Sequence, residues 1–193
     1  MVAGPLIIVS GPSGSGKTTL IDDLLAEKNW PLRLSVSATT RERRPNEIDG
    51  VHYHFWTREQ FLQERQRGGF LEWAEVHGKL YGTLEREVRP FRAQGCGVIL
   101  DIDTKGREQV KRSCPDAVSI FIHASSLAEY ERRLRQRGTE TEDQIQRRLR
   151  AAQSELARAP EYDHQVINDD LQAALGDLRA IVRPLFERNA DAG

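Results

Sequence analysis

Residues 10–19 read SGPSGSGKTT and follow a short apolar run. Gly11, Gly16, Lys17 and Thr18 fit the spacing G-x-x-x-x-G-K-[ST], where a buried strand should lead into a helix. Glycines let backbone N–H groups point inward around a phosphate chain without a clash at Cβ, and the following helix adds its positive end. A glycine-rich turn beside an unrelated lysine is the alternative, and it leaves the register of all four positions unexplained. The stretch therefore predicts a loop that binds the phosphates of a nucleoside triphosphate.

The same loop predicts how the triphosphate is neutralised. Lys17 should reach the β- and γ-phosphates, and the Thr18 hydroxyl should ligate Mg²⁺. A magnesium site also calls for a carboxylate near the end of a neighbouring strand, and GVILDID (residues 97–103) supplies Asp101 and Asp103. Both carboxylates can face one crevice if they lie at the strand end, but aspartates that only cap the turn at residues 104–106 give the same pattern. The sequence leaves both interpretations open.

The composition is that of an ordinary globular domain. The 193 residues are 38% hydrophobic and 30% charged, with a net charge of −1, so we expect one sizeable core and neither a nucleic-acid nor a membrane partner. Cys96 and Cys114 match neither a metal-ligand spacing nor a disulfide framework and should be free thiols. No leader pattern begins the sequence, and no window approaches the ~20 apolar residues of a membrane span. We expect a cytoplasmic monomer or small homo-oligomer.

Runs rich in valine and isoleucine alternate with segments of helical period, which predicts an α/β fold with a parallel sheet covered by helices on both faces. The predicted strands are Leu6 to Val9, Leu34 to Ser37, Gly97 to Ile102, Val118 to Ile122 and Gln165 to Ile167. Capping-box patterns predict helices that begin after Thr57, Ser126 and Thr141. One face of a last helix is predicted to carry Leu171, Leu175, Leu178, Val182 and Leu185.

Two regions interrupt this alternation and predict additions to the core of a single domain over residues 4–187. The core itself should comprise residues 4–37, 84–125 and 159–187. Residues 38–83 are polar, with one predicted helix and a glycine-rich tail, and indicate an inserted subdomain. Residues 126–158 indicate a helical hairpin hinged near Gly138, whose first arm should pack Leu127, Tyr130 and Leu134 into the core.

Arginines and a tyrosine concentrate just beyond a strand end in SVSATTRERRPNEIDGVHYHF (residues 35–55). Guanidinium groups bind phosphate through two hydrogen bonds, and a phenol adds a neutral donor, so Arg41, Arg43, Arg44 and Tyr53 are candidates for a second phosphate site. Taken alone, the run favours a solvated charged surface over a phosphate site. Its position next to a phosphate loop favours the second phosphate site.

A carboxylate follows in FLEWAEVHGKLYGT (residues 70–83). A carboxylate only accepts hydrogen bonds, and guanine presents adjacent N1–H and N2–H donors, so Glu72 is suited to distinguish guanine from adenine. A hydroxyl from Ser37 or Thr83 is able to donate to guanine O6. These positions predict a nucleobase site beside the second phosphate site.

These stretches, together with ILDIDTKG (99–106), RGTETEDQIQRRLRAAQSEL (137–156) and VINDDL (166–171), resemble the guanylate kinase family, in order, over nearly the whole chain. The resemblance implies a P-loop nucleoside monophosphate kinase with a GMP-binding subdomain at 38–83 and a lid at 126–158. It implies the reaction ATP + GMP → ADP + GDP with Mg²⁺, with dGMP as a second acceptor, in purine nucleotide metabolism.

The resemblance also assigns roles to individual positions. The ATP-binding set is Gly11, Pro12, Ser13, Gly14, Ser15, Gly16, Lys17, Thr18 and Thr19, with Asn168 near the adenine. The GMP-binding set is Ser37, Glu72 and Thr83 for guanine, Arg41, Arg44, Tyr53 and Tyr81 for its phosphate, and Asp103 near the acceptor nucleotide. Mg²⁺ would be held by Thr18 and Asp101, partly through water. The catalytic set is Lys17, Arg41 and the lid arginines Arg133, Arg137 and Arg148. Arg43 has no counterpart, and Lys105 replaces the glutamine usual in the family.

Two alternatives to a GMP kinase follow from the same resemblance. Related domains serve as non-catalytic scaffolds that bind phosphorylated peptides, but a scaffold has no need of Gly16, Lys17 and Thr18 together with lid arginines. A kinase of the same fold that acts on another phosphorylated small molecule, such as a ribose bisphosphate, would not need the guanine-contacting set. The sequence therefore favours GMP as the acceptor.

Overall fold

A five-stranded parallel sheet forms the centre of the computed structural model, which describes residues 2–76, 78–137 and 141–190. Its strands lie in the spatial order β2-β7-β1-β8-β9. They are β1 (Leu6–Ser10), β2 (Leu32–Leu34), β7 (Gly97–Asp101), β8 (Val118–His123) and β9 (His164–Ile167). The predicted parallel sheet is confirmed, although the second strand was misplaced. The prediction of Leu34 to Ser37 is wrong because β2 ends at Leu34, and the chain then crosses to a second sheet.

Helices cover both faces of this sheet, as the continuous apolar strands predicted. They are α1 (Lys17–Ala26), α3 (Glu85–Ala93), α4 (Thr104–Ser113) and α7 (Leu171–Ala190). On one face, strand residues such as Ile7 and Ile120 pack with Leu24 of α1 and Leu178 of α7. On the other face, Leu6, Ile8, Val98 and Leu100 pack with Val88 and Val110. The predicted apolar face of α7 is confirmed, since Leu175, Leu178 and Val182 are buried.

The region between β2 and α3 folds around a second sheet, which has four strands among the described residues. These are β3 (Ala38–Thr39), β4 (His54–Phe55), β5 (Phe70–Val76) and β6 (Lys79–Leu84), in the order β4-β3-β6-β5. Helix α2 (Arg58–Gln66) begins after Thr57 with the predicted capping box, and its buried Phe61 stacks on Phe70 at 4.3 Å between ring centroids. The sequence predicted the helix but not the sheet, because two of its strands are only two residues long.

A helical hairpin crosses the carboxyl end of the central sheet. It consists of α5 (Leu127–Arg137) and α6 (Glu142–Leu156), followed by a short 3₁₀ turn at Ala159–Glu161. Tyr130 and Leu134 are buried as predicted, but Leu127 is 36% exposed, so its predicted place in the core is wrong. Its position in the first turn leaves it at the edge of the helix contact. The predicted hinge at Gly138 lies outside the described residues.

The prediction for the two cysteines is confirmed. Cys96 and Cys114 are free thiols. Within the part of the chain that the structure describes, no helix is long and apolar enough to cross a lipid bilayer.

Candidate functional site

A cleft of about 400 Å³ lies at the carboxyl end of the central strands, between the central sheet, the second sheet and α6. This is the edge of a parallel sheet at which α/β proteins bind ligands, because loops from several strands converge there. The cleft brings together Lys17 of the phosphate loop, Ser37 and Glu72 of the second sheet region, Asp101 at the end of β7 and Asp103 just after it. Residues far apart in sequence therefore share one site.

The phosphate loop wraps between β1 and α1 with backbone angles that need glycine. Gly11 has φ 149° and Gly16 has φ 84°. A Cβ at Gly11 would lie 2.0 Å from the Ile122 carbonyl oxygen, and one at Gly16 would lie 2.3 Å from Asn168 Nδ2. Side chains at these two positions would therefore break the loop.

Two side chains support the loop from within the protein. Asn168, after β9, donates from Nδ2 to the Ser15 carbonyl oxygen at 2.8 Å and is 5% exposed. Lys17 Nζ donates to the Gly11 carbonyl oxygen at 2.6 Å, so the ammonium is folded over the loop at the rim of the cleft. The loop is thus held in shape with its lysine beside the space where phosphates would lie.

The sequence left open whether Asp101 and Asp103 cap a turn or face the binding crevice, and the structure shows both arrangements. Asp103 caps α4, since its Oδ1 accepts from the Gly106 backbone N–H at 2.7 Å, and it also lines the cleft. Asp101 ends β7 and is accessible from the cleft. The surrounding protein displaces bulk water and raises the pKa of Asp101, while the Lys17 ammonium lowers it. The two aspartates therefore combine a capping role with a place in the site.

Glu72 is the buried carboxylate of the site, with 5% exposure. Its Oε1 accepts from the Thr83 hydroxyl at 2.7 Å and from the Thr83 backbone N–H at 2.9 Å. Burial raises the pKa of Glu72 to about 7, although these hydrogen bonds favour the charged form. Thr83 is fully buried behind Glu72, so its hydroxyl orients this carboxylate.

Gly106 leaves the room that Glu72 occupies, and sequence reasoning missed it. A Cβ at Gly106 would lie 2.7 Å from Glu72 Oε2, and the glycine belongs to the buried face of α4. The helical backbone at Gly106 has no positive φ that would require glycine. The close approach of the Glu72 carboxylate is therefore the better explanation for a glycine at this position. The signal was present in ILDIDTKG, where a glycine stands early in a predicted helix.

The tyrosines expected at a phosphate line the cleft, and Arg41 lies against one of them. Tyr53 and Tyr81 meet edge to face at 6.1 Å between centroids. Arg41 makes a two-pronged ion pair with Glu47 at 2.7 and 3.0 Å, with its guanidinium 5.5 Å from the Tyr53 ring centroid. Arg44 is exposed at its side chain and donates its backbone N–H to Glu47 at 2.8 Å.

Glu47 is a second residue that the sequence analysis missed. Hydrogen bonds from the Arg41 side chain and the Arg44 backbone lower its pKa to about 2. Its carboxylate holds the two-pronged position on Arg41 that a phosphate group would also favour. The alternation of arginine and glutamate in RERRPNE hid it as part of a charged run.

The lid arginines are distributed around the phosphate loop. Arg148 Nη1 donates to Ser13 Oγ at 3.3 Å. Arg133 donates to Glu129 at 2.7 Å and to the Asn168 carbonyl oxygen at 2.5 Å. The side chain of Arg137 lies outside the described residues. In this arrangement Arg148 meets the loop directly, and Arg133 meets the segment that supports it.

The described residues of the site offer individual oxygen ligands for a magnesium ion but no preformed cluster of protein ligands. Among the described residues, no three histidine, cysteine or acidic side chains are grouped to hold a metal. Thr18 is exposed in the first turn of α1, and Asp101 is accessible from the cleft. One hydroxyl and one carboxylate suit Mg²⁺, which keeps several waters and takes its other ligands from substrate phosphates. The residues present fit the ion.

Comparison with known proteins places these features in one family. The family model described as Guanylate kinase matches residues 3–185. A guanylate kinase of Aromatoleum aromaticum is 51% identical over 180 residues, which covers 93% of this chain and 88% of the relative. A guanylate kinase of Carboxydothermus hydrogenoformans is 46% identical over 182 residues, covering 94% and 89%.

Solved structures agree. The guanylate kinase from Anaplasma phagocytophilum matches with a TM-score of 0.77 and 29% identity, covering 95% of this chain and 87% of that one. TT1252 from Thermus thermophilus, with a TM-score of 0.52 and 17% identity, shares the fold. The resemblance drawn from the sequence motifs is confirmed, and the chain belongs to the guanylate kinase family.

Proposed function

We propose that this protein transfers the γ-phosphoryl group of ATP to GMP, and also to dGMP, giving ADP and the nucleoside diphosphate. The observation that carries the proposal is the meeting of Lys17 and Glu72 in one cleft. A phosphate loop and a buried base-reading carboxylate on facing walls suit two nucleotides whose phosphates meet between them. The family of the chain supports this assignment.

Guanine would be read by Glu72, Ser37 and Thr83. The Thr83 donors engage Glu72 Oε1, which fixes the carboxylate plane and leaves Oε2 for a base donor. Guanine N1–H and N2–H would stabilise the charged form of Glu72, whereas adenine presents an acceptor at N1. Ser37 and Asp103, which also line the cleft, are proposed to add contacts to the same nucleotide.

The GMP phosphate would be held by Arg41, Arg44, Tyr53 and Tyr81. Two of these, Tyr53 and Tyr81, already face the cleft, and Arg41 lies against the Tyr53 ring. Because Glu47 pairs with Arg41, GMP binding would exchange one anion for another on the same guanidinium.

The ATP phosphates would lie in residues 11–19, with Lys17 on the β- and γ-phosphates and Asn168 toward the adenine. Thr18 and Asp101 would hold Mg²⁺, Asp101 partly through water, and the bound ion would neutralise charge on the transferring phosphoryl group. Lys17, Arg41, Arg133, Arg137 and Arg148 would offset the repulsion between the two sets of phosphates. Lid closure over the cleft would exclude water and so limit hydrolysis of ATP.

A coupled assay of ADP release tests the proposal. It would be run with GMP, dGMP, AMP, CMP, UMP and a panel of ribose phosphates. Turnover confined to GMP and dGMP is expected. Turnover with a ribose phosphate alone would support the other kinase, and no turnover with any acceptor would support a phosphopeptide-binding scaffold. Light scattering of the same sample would report whether the enzyme is a monomer or a small homo-oligomer. We also propose that the protein acts in the cytoplasm.

A further inference from the structure

Helix α6 points a carboxylate at the phosphate loop. Among the described residues of 126–158, Glu155 is the one that lines the cleft, where it shares the wall with Lys17 and Asp103. It stands seven residues after Arg148, two helical turns along the same face, and Arg148 contacts Ser13 of the loop. One face of α6 therefore lies over the phosphate loop and presents both a cation and an anion to it.

Phosphate binding alone does not explain Glu155. The cleft is suited to two polyanionic nucleotides, and a half-buried carboxylate repels both of them. Burial raises the pKa of Glu155, and so does the charge of Asp103, whereas the Lys17 ammonium lowers it. The Lys17 ammonium is the group that favours the charged carboxylate at this position.

Two carboxylates from different parts of the fold share the cleft with Lys17, and the Lys17 charge lowers the pKa of each. Asp101 belongs to the central sheet and stays with the loop, while Glu155 belongs to the hairpin. The Lys17 ammonium itself donates to the Gly11 carbonyl oxygen. A phosphate that binds Lys17 must compete with that hydrogen bond and with the attraction of both carboxylates.

We propose that Glu155 is a positioning residue that competes with the nucleotide phosphates for the Lys17 ammonium and so weakens the hold on the product ADP. The inference rests on the proposed function, since it assumes that ADP phosphates lie at Lys17. With Glu155 in place, the ammonium has a partner to return to as ADP leaves. Without that charge, Lys17 stays on the phosphates and ADP dissociates more slowly.

Titration of a fluorescent ADP analogue in Mg²⁺ buffer tests this directly. Glu155→Gln should bind ADP more tightly by about fivefold, as expected for removing one charge from a partly shielded cleft. The ADP dissociation rate in stopped flow should fall by a similar factor, while the KM for GMP stays within about twofold. A merely structural defect would loosen ADP binding, so the direction of the change separates the two explanations.

Matched variants identify Lys17 as the partner. Glu142→Gln makes the same change on the exposed start of α6, outside the cleft, and should leave ADP binding unaltered. In a Lys17→Met background the effect of Glu155→Gln should shrink below about twofold, and in Lys17→Arg, which keeps the charge, it should persist. Glu155→Ala removes the charge with a different shape and should also tighten binding. Thermal unfolding of each variant checks its fold.

Three results would overturn the inference. Unchanged or weaker ADP binding by both Glu155 variants would do so, and weakening that appears only with Mg²⁺ would make Glu155 a metal ligand. Equal tightening in the Lys17→Met background would mean simple repulsion of the nucleotide. A wild-type protein that fails to bind ADP would overturn the proposed function as well. If the wild-type protein binds ADP and the Glu155 variants bind it with the same affinity, this inference alone is overturned.

Discussion

Glu72 is the side chain on which the proposed base selection rests. Replacing it with glutamine swaps one acceptor oxygen for an amide donor, which would face the donors of guanine. We expect Glu72→Gln to weaken GMP binding by about 10- to 100-fold, the range for a mispaired buried polar contact. Calorimetry with GMP measures the loss.

The control for this variant lies on the same strand. Glu75→Gln changes an exposed carboxylate whose ion pair with Arg58 spans 3.7 Å, so it should alter GMP affinity less than twofold. ADP affinity should stay constant in both variants. Unaltered GMP binding by Glu72→Gln would assign Glu72 a structural role.

The pKa of Glu72 also predicts a pH dependence of stability. Its value of about 7 in the folded protein exceeds the ordinary value, so the folded state holds a proton that the unfolded chain has released. The free energy of unfolding should therefore fall as pH rises from ~4.5 to 7, with Glu72 contributing at most about 3 kcal/mol. Urea unfolding at pH 5 and pH 7.5 measures this. In Glu72→Gln the free energy of unfolding should depend less on pH, because this contribution is absent. An identical pH dependence in both proteins would contradict the raised pKa of Glu72.

Lys17 carries the charge nearest the expected phosphates. Lys17→Met should lower kcat at least ~100-fold, because a charge aimed at the transferring group is lost from a shielded site. GMP affinity should change less than twofold, since Glu72 and Tyr81 remain. Single-turnover assays and GMP calorimetry separate the two effects, and near-normal turnover by a folded variant would remove Lys17 from the mechanism.

Helix α4 is placed by a contact between a glycine and the base-reading carboxylate. In an exposed helix, glycine to alanine raises stability by about 0.5–1 kcal/mol. At Gly106 the new Cβ would lie 2.7 Å from Glu72 Oε2, so we expect Gly106→Ala to weaken GMP binding instead, by about tenfold, and to forgo that gain. Denaturant unfolding and GMP calorimetry measure the two quantities.

Gly176 of α7 provides the comparison. A Cβ there meets no atom within 4 Å among the described residues. Gly176→Ala should therefore show the ordinary gain in stability with GMP affinity unchanged. If both glycines respond alike, the contact between α4 and Glu72 has no influence on the site.

The elements differ in how far the sequence predicted them. The central strands are buried on both faces and the loop glycines are set by backbone angles, so local residue types specify them. The capping residues Thr57 and Thr141 marked helix starts for the same reason. Strands β3 and β4 are two residues each, too short for any periodicity, and they exist through pairing with distant partners.

The site followed the same division. Side-chain chemistry suggested Ser37, Tyr53 and Glu72, the resemblance to guanylate kinases added Tyr81, and the structure brings all four into the cleft. Glu47, Gly106 and Glu155 escaped because each acts through a neighbour that the sequence places elsewhere: Arg41, Glu72 and Lys17. Residues that support other residues leave no spacing pattern of their own.

Binding of both nucleotides should stabilise the folded protein as a unit, because the cleft lies between the central sheet, the second sheet and α6. A ligand at 100 times its Kd adds about 2.7 kcal/mol, or roughly 5–10 °C in Tm for a domain of this size. We expect GMP and ADP each to raise Tm by this order, with AMP at the same concentration raising it less than GMP. Differential scanning fluorimetry measures these shifts, and equal shifts with AMP and GMP would contradict base selection by Glu72.

The Arg41–Glu47 pair gives the proposed acceptor site a tethered anion of its own. Glu47 lies six positions after Arg41 in the chain, so it is present at Arg41 at an effective concentration of at least the millimolar order expected for a short tether. Free inorganic phosphate in a cell must compete with this internal rival and has no base with which to gain further contacts. GMP would displace the rival because its guanine, on the proposed assignment, binds elsewhere in the cleft. The pair would thereby protect the site from a small anion that resembles part of the proposed substrate.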